Sequence, residues 1–224
     1  CCGHDPSQDS QYQEDGLLHG MLLSGGPSII SLATEFPGRV DVMHRTGPRS
    51  LGRSYLQGMR RALQTDAAVV CQMDADLSHD PQYLPAMVDA AADYDLVIGS
   101  RFRRGVSVVN WPLRRLFLST FGNRYIRLVT GLPVRDCTSG YRCWRRDALA
   151  RIPIDRVRSE GYAHLVEMLS ESAMAGCRIA EVPIIFIERR QGTSKLSFGI
   201  LIESLITPWR MLFRRLARAG GRRA

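Results

Sequence analysis

Asp74-Ala75-Asp76 follows directly on an apolar run from Ala67 to Met73, and it is the stretch best equipped for chemistry. Two carboxylates one residue apart offer hard oxygen ligands, suited to Mg2+ or Mn2+ carried by a nucleotide diphosphate. The apolar run reads as a buried strand. Asp80-Pro81 then starts a helix, with Asp80 as N-cap and Pro81 at the first helical position. The pair therefore belongs at the carboxyl end of a central strand, where open α/β sheets place their ligands. Alternation along an extended chain puts both carboxylates on one side. A solvated acidic turn capping a helix would leave the same trace, so the pair gains meaning only from what accompanies it.

Several further groups accompany it. Asp95 to Ser100 reads as a second buried strand, and Arg101 emerges from its tip. Strand, helix and strand with short links form a parallel α/β unit, so Arg101 shares an edge with Asp74 and Asp76. Trp111-Pro112 opens a long helix, Leu113 to Thr130. On it Arg115 and Ser119 lie four residues apart on one face, able to hold a phosphate between them. The glycine-rich basic loop from Thr46 to Arg53 can approach phosphate closely. Asp136 to Arg142 forms a compact polar turn. His164 and Glu167, three apart on a helix from Arg158 to Gly176, form either an acid/base pair or a satisfied helix-face pair. Arg189 to Lys195 is a basic loop of the kind that closes over anions.

The elements that must carry these groups follow from pattern. At 224 residues and 45% hydrophobic, the chain is globular and long enough for one ordinary domain with appendages. Its net charge of +8 is almost all arginine, Lys195 being the only lysine. Such a balance suits phosphorylated substrates, phospholipid surfaces or nucleic acid. Six cysteines show no C-x-x-C spacing, and Cys71 and Cys177, in or near apolar runs, read as reduced core residues of a cytosolic compartment. Residues 1–28 are polar and aperiodic and read as a disordered segment. The domain proper spans residues 29–196. It opens with a helix through Ile29, Leu32, Ala33 and Phe36 and a strand from Arg39 to His44, and it ends in a strand from Arg178 to Ile187. Residues 197–224 form a basic amphipathic tail containing Trp209 and Phe213. It is too interrupted to span a bilayer, and it either lies in the membrane interface or packs on the domain.

Taken together, MDADLSHDP, IGSR, the Trp-led helix with Arg115 and Ser119, RDCTSGYR and RRQGTSKL resemble family 2 glycosyltransferases of the GT-A fold. More narrowly, they resemble polyprenol (dolichol) monophosphate mannose synthases. The resemblance covers about residues 31 to 210. It implies a Rossmann-like, mostly parallel sheet with helices on both faces. It also implies mannose transfer from GDP-mannose to a polyprenyl monophosphate, with inversion, by a peripheral protein at the cytoplasmic membrane face. An integral membrane partner is compatible with this. The resemblance implies that Asp74, Asp76 and Ser78 hold Mg2+ or Mn2+. Arg101, Arg115 and Ser119 match positions that hold the acceptor phosphate, and Arg189 and Lys195 match positions that engage phosphate. Catalytic weight falls on Asp76, Arg101 and Arg115. The acceptor is already an anion, so no general base is required.

The resemblance departs at the start. Members begin with a strand ending in a P-x-Y-N-E-like motif and a second ending in D-D-x-S, which bind base and ribose. Residues 1–28 carry neither, so the fold is expected without its usual first strands. Two other readings stand beside the enzyme. One is an inactive, truncated family member that binds membrane or a partner. The other is a basic nucleic-acid-binding protein, against which the absence of any nucleic-acid motif counts.

Overall fold

The computed structural model describes residues 19–23, 35–44, 50–74, 76, 78–159, 161, 163–187 and 198–220, without the side chains of 19–23, 198–204 and 218–220. In chain order the elements are β1 (His19–Leu23), α1 (Leu51–Leu63), β2 (Val69–Asp74), α2 (Leu84–Ala90), β3 (Leu96–Ser100), β4 (Val108–Val109) and α3 (Leu113–Thr130). There follow β5 (Arg142–Arg145), α4 (Arg146–Arg151), α5 (Ala163–Met174), β6 (Ile179–Pro183), β7 (Phe186–Ile187) and α6 (Phe198–Gly220).

Five strands form one sheet in the order β1-β2-β5-β3-β6, and β4 pairs with β7 in a separate two-stranded ribbon. The pairs β1/β2 and β3/β6 are parallel, while β5 runs antiparallel to both β2 and β3. The sheet is thus mixed. The β2 and β3 tips leave at one edge, as the sequence implied, but they are not neighbours. Because β5 runs the other way, it starts at that same edge. This single reversal brings the 136–141 turn between the Asp74 and Arg101 tips.

Facing residues along the ladder assign the two sides. Val70 pairs with Trp144, and both enter the larger core, closed by α1, α3, α5 and α6. Cys71 pairs with Cys143 on the opposite side, with Met87, Val97 and Tyr141 under α2. The two thiols lie 3.1 Å apart and unbonded. Trp144 is wholly buried, and truncating such a side chain to Ala costs about 3–5 kcal/mol.

Several sequence expectations change. His19–Leu23 is a strand inside the segment read as disordered, because its apolar end finds the apolar β2 to pair with. The Arg39–His44 strand is absent: alternation alone forms no strand where no neighbour offers a ladder, and this stretch is coil. The Arg158–Gly176 helix starts only at Ala163. The Arg178–Ile187 strand divides into β6 and β7 after Pro183, which has no N–H for a ladder. Only the end of the helix expected over Ile29 to Phe36 lies within the described residues.

The tail is a helix, α6, with Pro208 inside it. One face packs on the domain. Thr207 and Met211 are buried, Tyr125 Oη donates to the Leu205 carbonyl at 2.7 Å, and Arg214 reaches Glu167 at 2.5 Å. The other face leaves Leu205, Trp209, Phe213 and Leu216 exposed.

Candidate functional site

The site forms where β2, β3 and the start of β5 meet. β2 ends at Asp74, so the chain has left the strand before Asp76 and alternation does not govern the second carboxylate. Asp76 instead stands on a turn closed by its own side chain. Its Oδ1 accepts from the Ser78 N–H at 3.1 Å and the Ser78 hydroxyl at 2.5 Å. Ser78 is buried, and it meets the site through Asp76. Asp80 caps the next turn through the Gln82 N–H at 2.9 Å, with Pro81 first in a 3-10 turn that leads into α2.

Asp74 is held from two directions. Its N–H donates to His79 Nδ1 at 2.9 Å, and Tyr55 on α1 donates its hydroxyl to Asp74 Oδ1. The His79 ring stacks on Tyr141 with centroids 4.9 Å apart. Burial lowers the His79 pKa against the pull of Asp74 and Asp76. The ring is therefore neutral at pH 7, and Nδ1 has a lone pair for the Asp74 amide. Neutral groups alone grip the two carboxylates: among the described residues no guanidinium pairs with either.

The opposite holds at Arg101. It is 8% exposed, with Asp136 wholly buried beside it. Arg101 Nε donates to Asp136 Oδ2 at 2.7 Å and Nη2 to Oδ1 at 2.6 Å. The Arg101 amide joins the same carboxylate at 3.0 Å, and Thr138 Oγ1 takes a further bond from Nη2 at 2.8 Å. Burial would raise the Asp136 carboxyl, but the guanidinium and its hydrogen bonds outweigh it and hold the pKa below the ordinary value. Sequence reasoning saw only a polar turn at Asp136. A lone Asp in such a turn carries no sign of a distant partner.

Aromatic rings join the two ends. Phe186 of β7 meets the His79 ring edge-on at 5.6 Å and the Trp111 ring at 5.5 Å. The Arg101 guanidinium lies 5.5 Å from both the Trp111 and Phe186 centroids. Arg115, one turn into α3, lies 4.3 Å from the Trp111 centroid. Arg101 and Arg115 therefore meet at one ring, as an acceptor phosphate would need. Ser119 lies on the next turn of α3, where its carbonyl accepts from Asn123 at 3.0 Å. Asn123 in turn ties α3 to the 136–138 turn through the Cys137 N–H at 2.7 Å and Thr138 at 3.2 Å. Among the described residues the buried Trp111 indole N–H has no hydrogen-bond partner. Arg189 and Lys195 lie outside the described residues.

The structure resolves the His164 and Glu167 alternatives. Each is buried and has partners of its own, although among the described residues His164 Nε2 finds no hydrogen-bond partner. His164 Nδ1 donates to the Gly161 carbonyl at 2.7 Å and its ring stacks on Tyr55. Burial pushes its pKa down to about 4. Glu167 accepts from Arg158 and Ser159 amides, the Ser159 hydroxyl and Arg214. They are a helix-face pair with structural partners. The glycine-rich loop also has a structural end. Ser50 caps α1, and a Cβ on Gly52 would stand 2.4 Å from the Ser159 carbonyl, so α1 can approach α5 this closely only with glycine there.

The fit to a divalent metal rests on the donor set. Hard carboxylate oxygens are present and are oriented by hydroxyl and amide groups. Among the described residues no third His, Cys, Asp or Glu joins them to make a closed cage. That suits an ion which keeps waters and takes its remaining ligands from a substrate's phosphates.

Two carboxylates and two guanidinium groups thus gather near one edge of an α/β sheet, a donor set with groups for a cation and for an anion. The chain belongs to glycosyl transferase family 2, whose model matches residues 26–152. It is 44% identical over 172 residues to the undecaprenyl-phosphate mannosyltransferase of Micrococcus luteus, covering 76% of this chain and 71% of that protein. It is 42% identical over 175 residues to the polyprenol monophosphomannose synthase of Mycolicibacterium smegmatis, covering 78% of this chain and 66% of that one. Its fold is similar to that of glucosyl-3-phosphoglycerate synthase from Mycobacterium tuberculosis in complex with phosphoglyceric acid. There the TM-score is 0.53 at 17% identity, over 88% of this chain and 67% of that one. The same enzyme in complex with Mn2+, uridine diphosphate and glucosyl-3-phosphoglycerate gives a TM-score of 0.51 at 18% identity, over 88% and 67%. The GT-A fold implied by the sequence motifs is thereby borne out: four of the five strands of the main sheet run parallel, and the reversed β5 makes it mixed.

Proposed function

We propose that this chain transfers mannose from GDP-mannose to a polyprenyl monophosphate, with inversion at the anomeric carbon. The observation that carries the reading is the pairing of two unlike ends on one aromatic bridge. Among the described residues the carboxylates of Asp74 and Asp76 have no basic partner, and Arg101 and Arg115 share the Trp111 ring. The names and identities of the mannosyl-transferring relatives supply the substrate class.

Asp74 and Asp76 would hold Mg2+ or Mn2+, with the Ser78 hydroxyl keeping Asp76 in place or adding its oxygen. The ion supplies neutralisation of charge on the departing diphosphate. Arg115 and Ser119 hold the acceptor phosphate from α3. Arg101, fixed by Asp136, presents Nη1 and the field of its charge. By the family resemblance, Arg189 and Lys195 would engage phosphate as well. The acceptor oxygen is anionic at pH 7, so His79, His164 and Glu167 need not take a proton, and their burial fits that. Rate enhancement then comes from positioning and electrostatics.

A polyprenyl phosphate is confined to a bilayer, so the site must work at that surface. No described helix is long and apolar enough to cross a membrane. The exposed Trp209 and Phe213, with Arg210 between them, suit an interfacial helix. We place the protein peripherally on the cytoplasmic face, where sugar nucleotides are made.

Titration with Mn2+ and GDP tests the reading against its rivals. The enzyme binds both. An inactive remnant binds neither, and a nucleic-acid-binding protein prefers oligonucleotide. Either of the latter results would sink the proposal.

A further inference from the structure

We infer that Tyr55 is a positioning residue for the metal, its hydroxyl aiming the Asp74 carboxylate. This rests on the metal reading above and adds a group that no motif marks.

Tyr55 projects from the second turn of α1 and is buried. Its hydroxyl donates to Asp74 Oδ1. On the other flank of the carboxylate stands Gly140, where an added Cβ would lie 3.7 Å from Asp74 Oδ2 and 3.5 Å from His79 Cε1. One oxygen is therefore engaged by Tyr55, and the glycine beside the carboxylate sets no side chain against either oxygen. The Asp74 amide is fixed as well, through His79 Nδ1 at 2.9 Å. Rotation about the Asp74 side chain is the freedom that remains, and the Tyr55 hydroxyl removes it.

Tyr55 is itself braced. Its ring lies 5.3 Å from that of His164, tilted by 19°. His164 is anchored by the Gly161 carbonyl at 2.7 Å, and the Cβ that Gly52 lacks would press on His164 at 3.0 Å. A chain of contacts from α5 through α1 thus ends on one carboxylate oxygen. The donor is also chemically apt. A guanidinium in its place would orient Asp74 but cancel its charge. A hydroxyl orients the ligand and leaves the charge for the cation. Partners of this kind behind a metal ligand typically govern affinity by 10–100-fold.

The test is Mn2+ binding to the whole chain with saturating GDP, read from the electron paramagnetic resonance of free Mn2+. Tyr55→Phe keeps the ring and its stack on His164 and removes only the hydroxyl. Wild type should bind Mn2+, Asp76→Asn should not, and Tyr55→Phe should bind with a Kd raised about tenfold or more. A merely structural tyrosine would lower Tm and leave that Kd within about twofold, and this result overturns the inference. Wild-type protein that takes up no Mn2+ overturns the metal reading instead. Should Tyr55→Phe fail to fold, wild type with ring-13C tyrosine decides: Mg2+ with GDP should shift the Tyr55 resonance, and an unmoved resonance with Mg2+ bound overturns the role.

Discussion

The Asp74/Asp76 end and the Arg101 end lie at one edge of the sheet, with β5 between their strands, yet they treat charge in opposite ways. At the first, two carboxylates are held by neutral groups, the Tyr55 and Ser78 hydroxyls and a backbone amide. At the second, a guanidinium is locked in a bidentate grip by a wholly buried carboxylate. The difference separates ligand from scaffold. Carboxylates that no basic group among the described residues compensates are open to a cation, as proposed above. Compensated charge holds its shape without a ligand and offers less to one.

The sharpest way to break this contrast is to remove one charge from each end. Asp76→Asn should abolish metal-dependent transfer while leaving the fold intact, because Asp76 is exposed and its turn can close through an amide oxygen. Retained activity would remove Asp76 from the metal. Asp136→Asn should act the other way, costing about 3–5 kcal/mol of stability by leaving Arg101 buried without its countercharge. Chemical denaturation reads this directly. Pairing Asp136→Asn with Arg101→Met should restore stability, and a double variant no more stable than the single one would contradict the scaffold role.

Acid should loosen the protein through His164. His164 titrates near 4 in the folded protein and near 6.5 unfolded, so the unfolded state binds the extra proton in between. Stability therefore falls as pH drops from about 6.5 to 4, by on the order of 3 kcal/mol. Asp136, whose pKa is depressed, withdraws its own contribution only as pH falls further, through its folded value. His164→Phe should flatten the upper part of this dependence in thermal melts, and an unchanged slope would point to other groups.

Arg115→Ala should raise the KM for polyprenyl phosphate by the loss of a charge-assisted hydrogen bond, about 1.5–3 kcal/mol. The KM for GDP-mannose should stay put. An effect confined to the donor would reverse the roles of the two ends. The smallest effect is expected at the surface. Trp209→Ser with Phe213→Ser should weaken sedimentation with anionic vesicles without lowering Tm, since both side chains are exposed. Equal sedimentation would move the membrane contact off α6.

What sequence could reveal divides along the same line. The ligand end was legible, because a carboxylate pair behind an apolar run and before Asp80-Pro81 states strand, tip and helix start in one stretch. The α3 bounds, Leu113–Thr130, were equally plain, with Trp111-Pro112 at one end and Gly131 at the other. The scaffold end was not. Arg142-Cys143-Trp144-Arg145 carries a charge at each terminus and shows no strand pattern, yet it becomes the central β5 with Arg142 fully buried. Asp136, Tyr55 and His79 act through partners 19 to 35 residues distant or through a ring seen edge-on, and no local periodicity encodes such pairings.

The central claim is that one site joins a metal-bound sugar nucleotide to a lipid phosphate. Incubating the chain with GDP-[14C]mannose, polyprenyl monophosphate and Mn2+, then extracting into organic solvent, tests it most directly. The account expects a mannosyl lipid that is labile to mild acid, absent when EDTA is present, and absent with Asp76→Asn. Label that never enters the organic phase, or enters it equally well with EDTA, would contradict it.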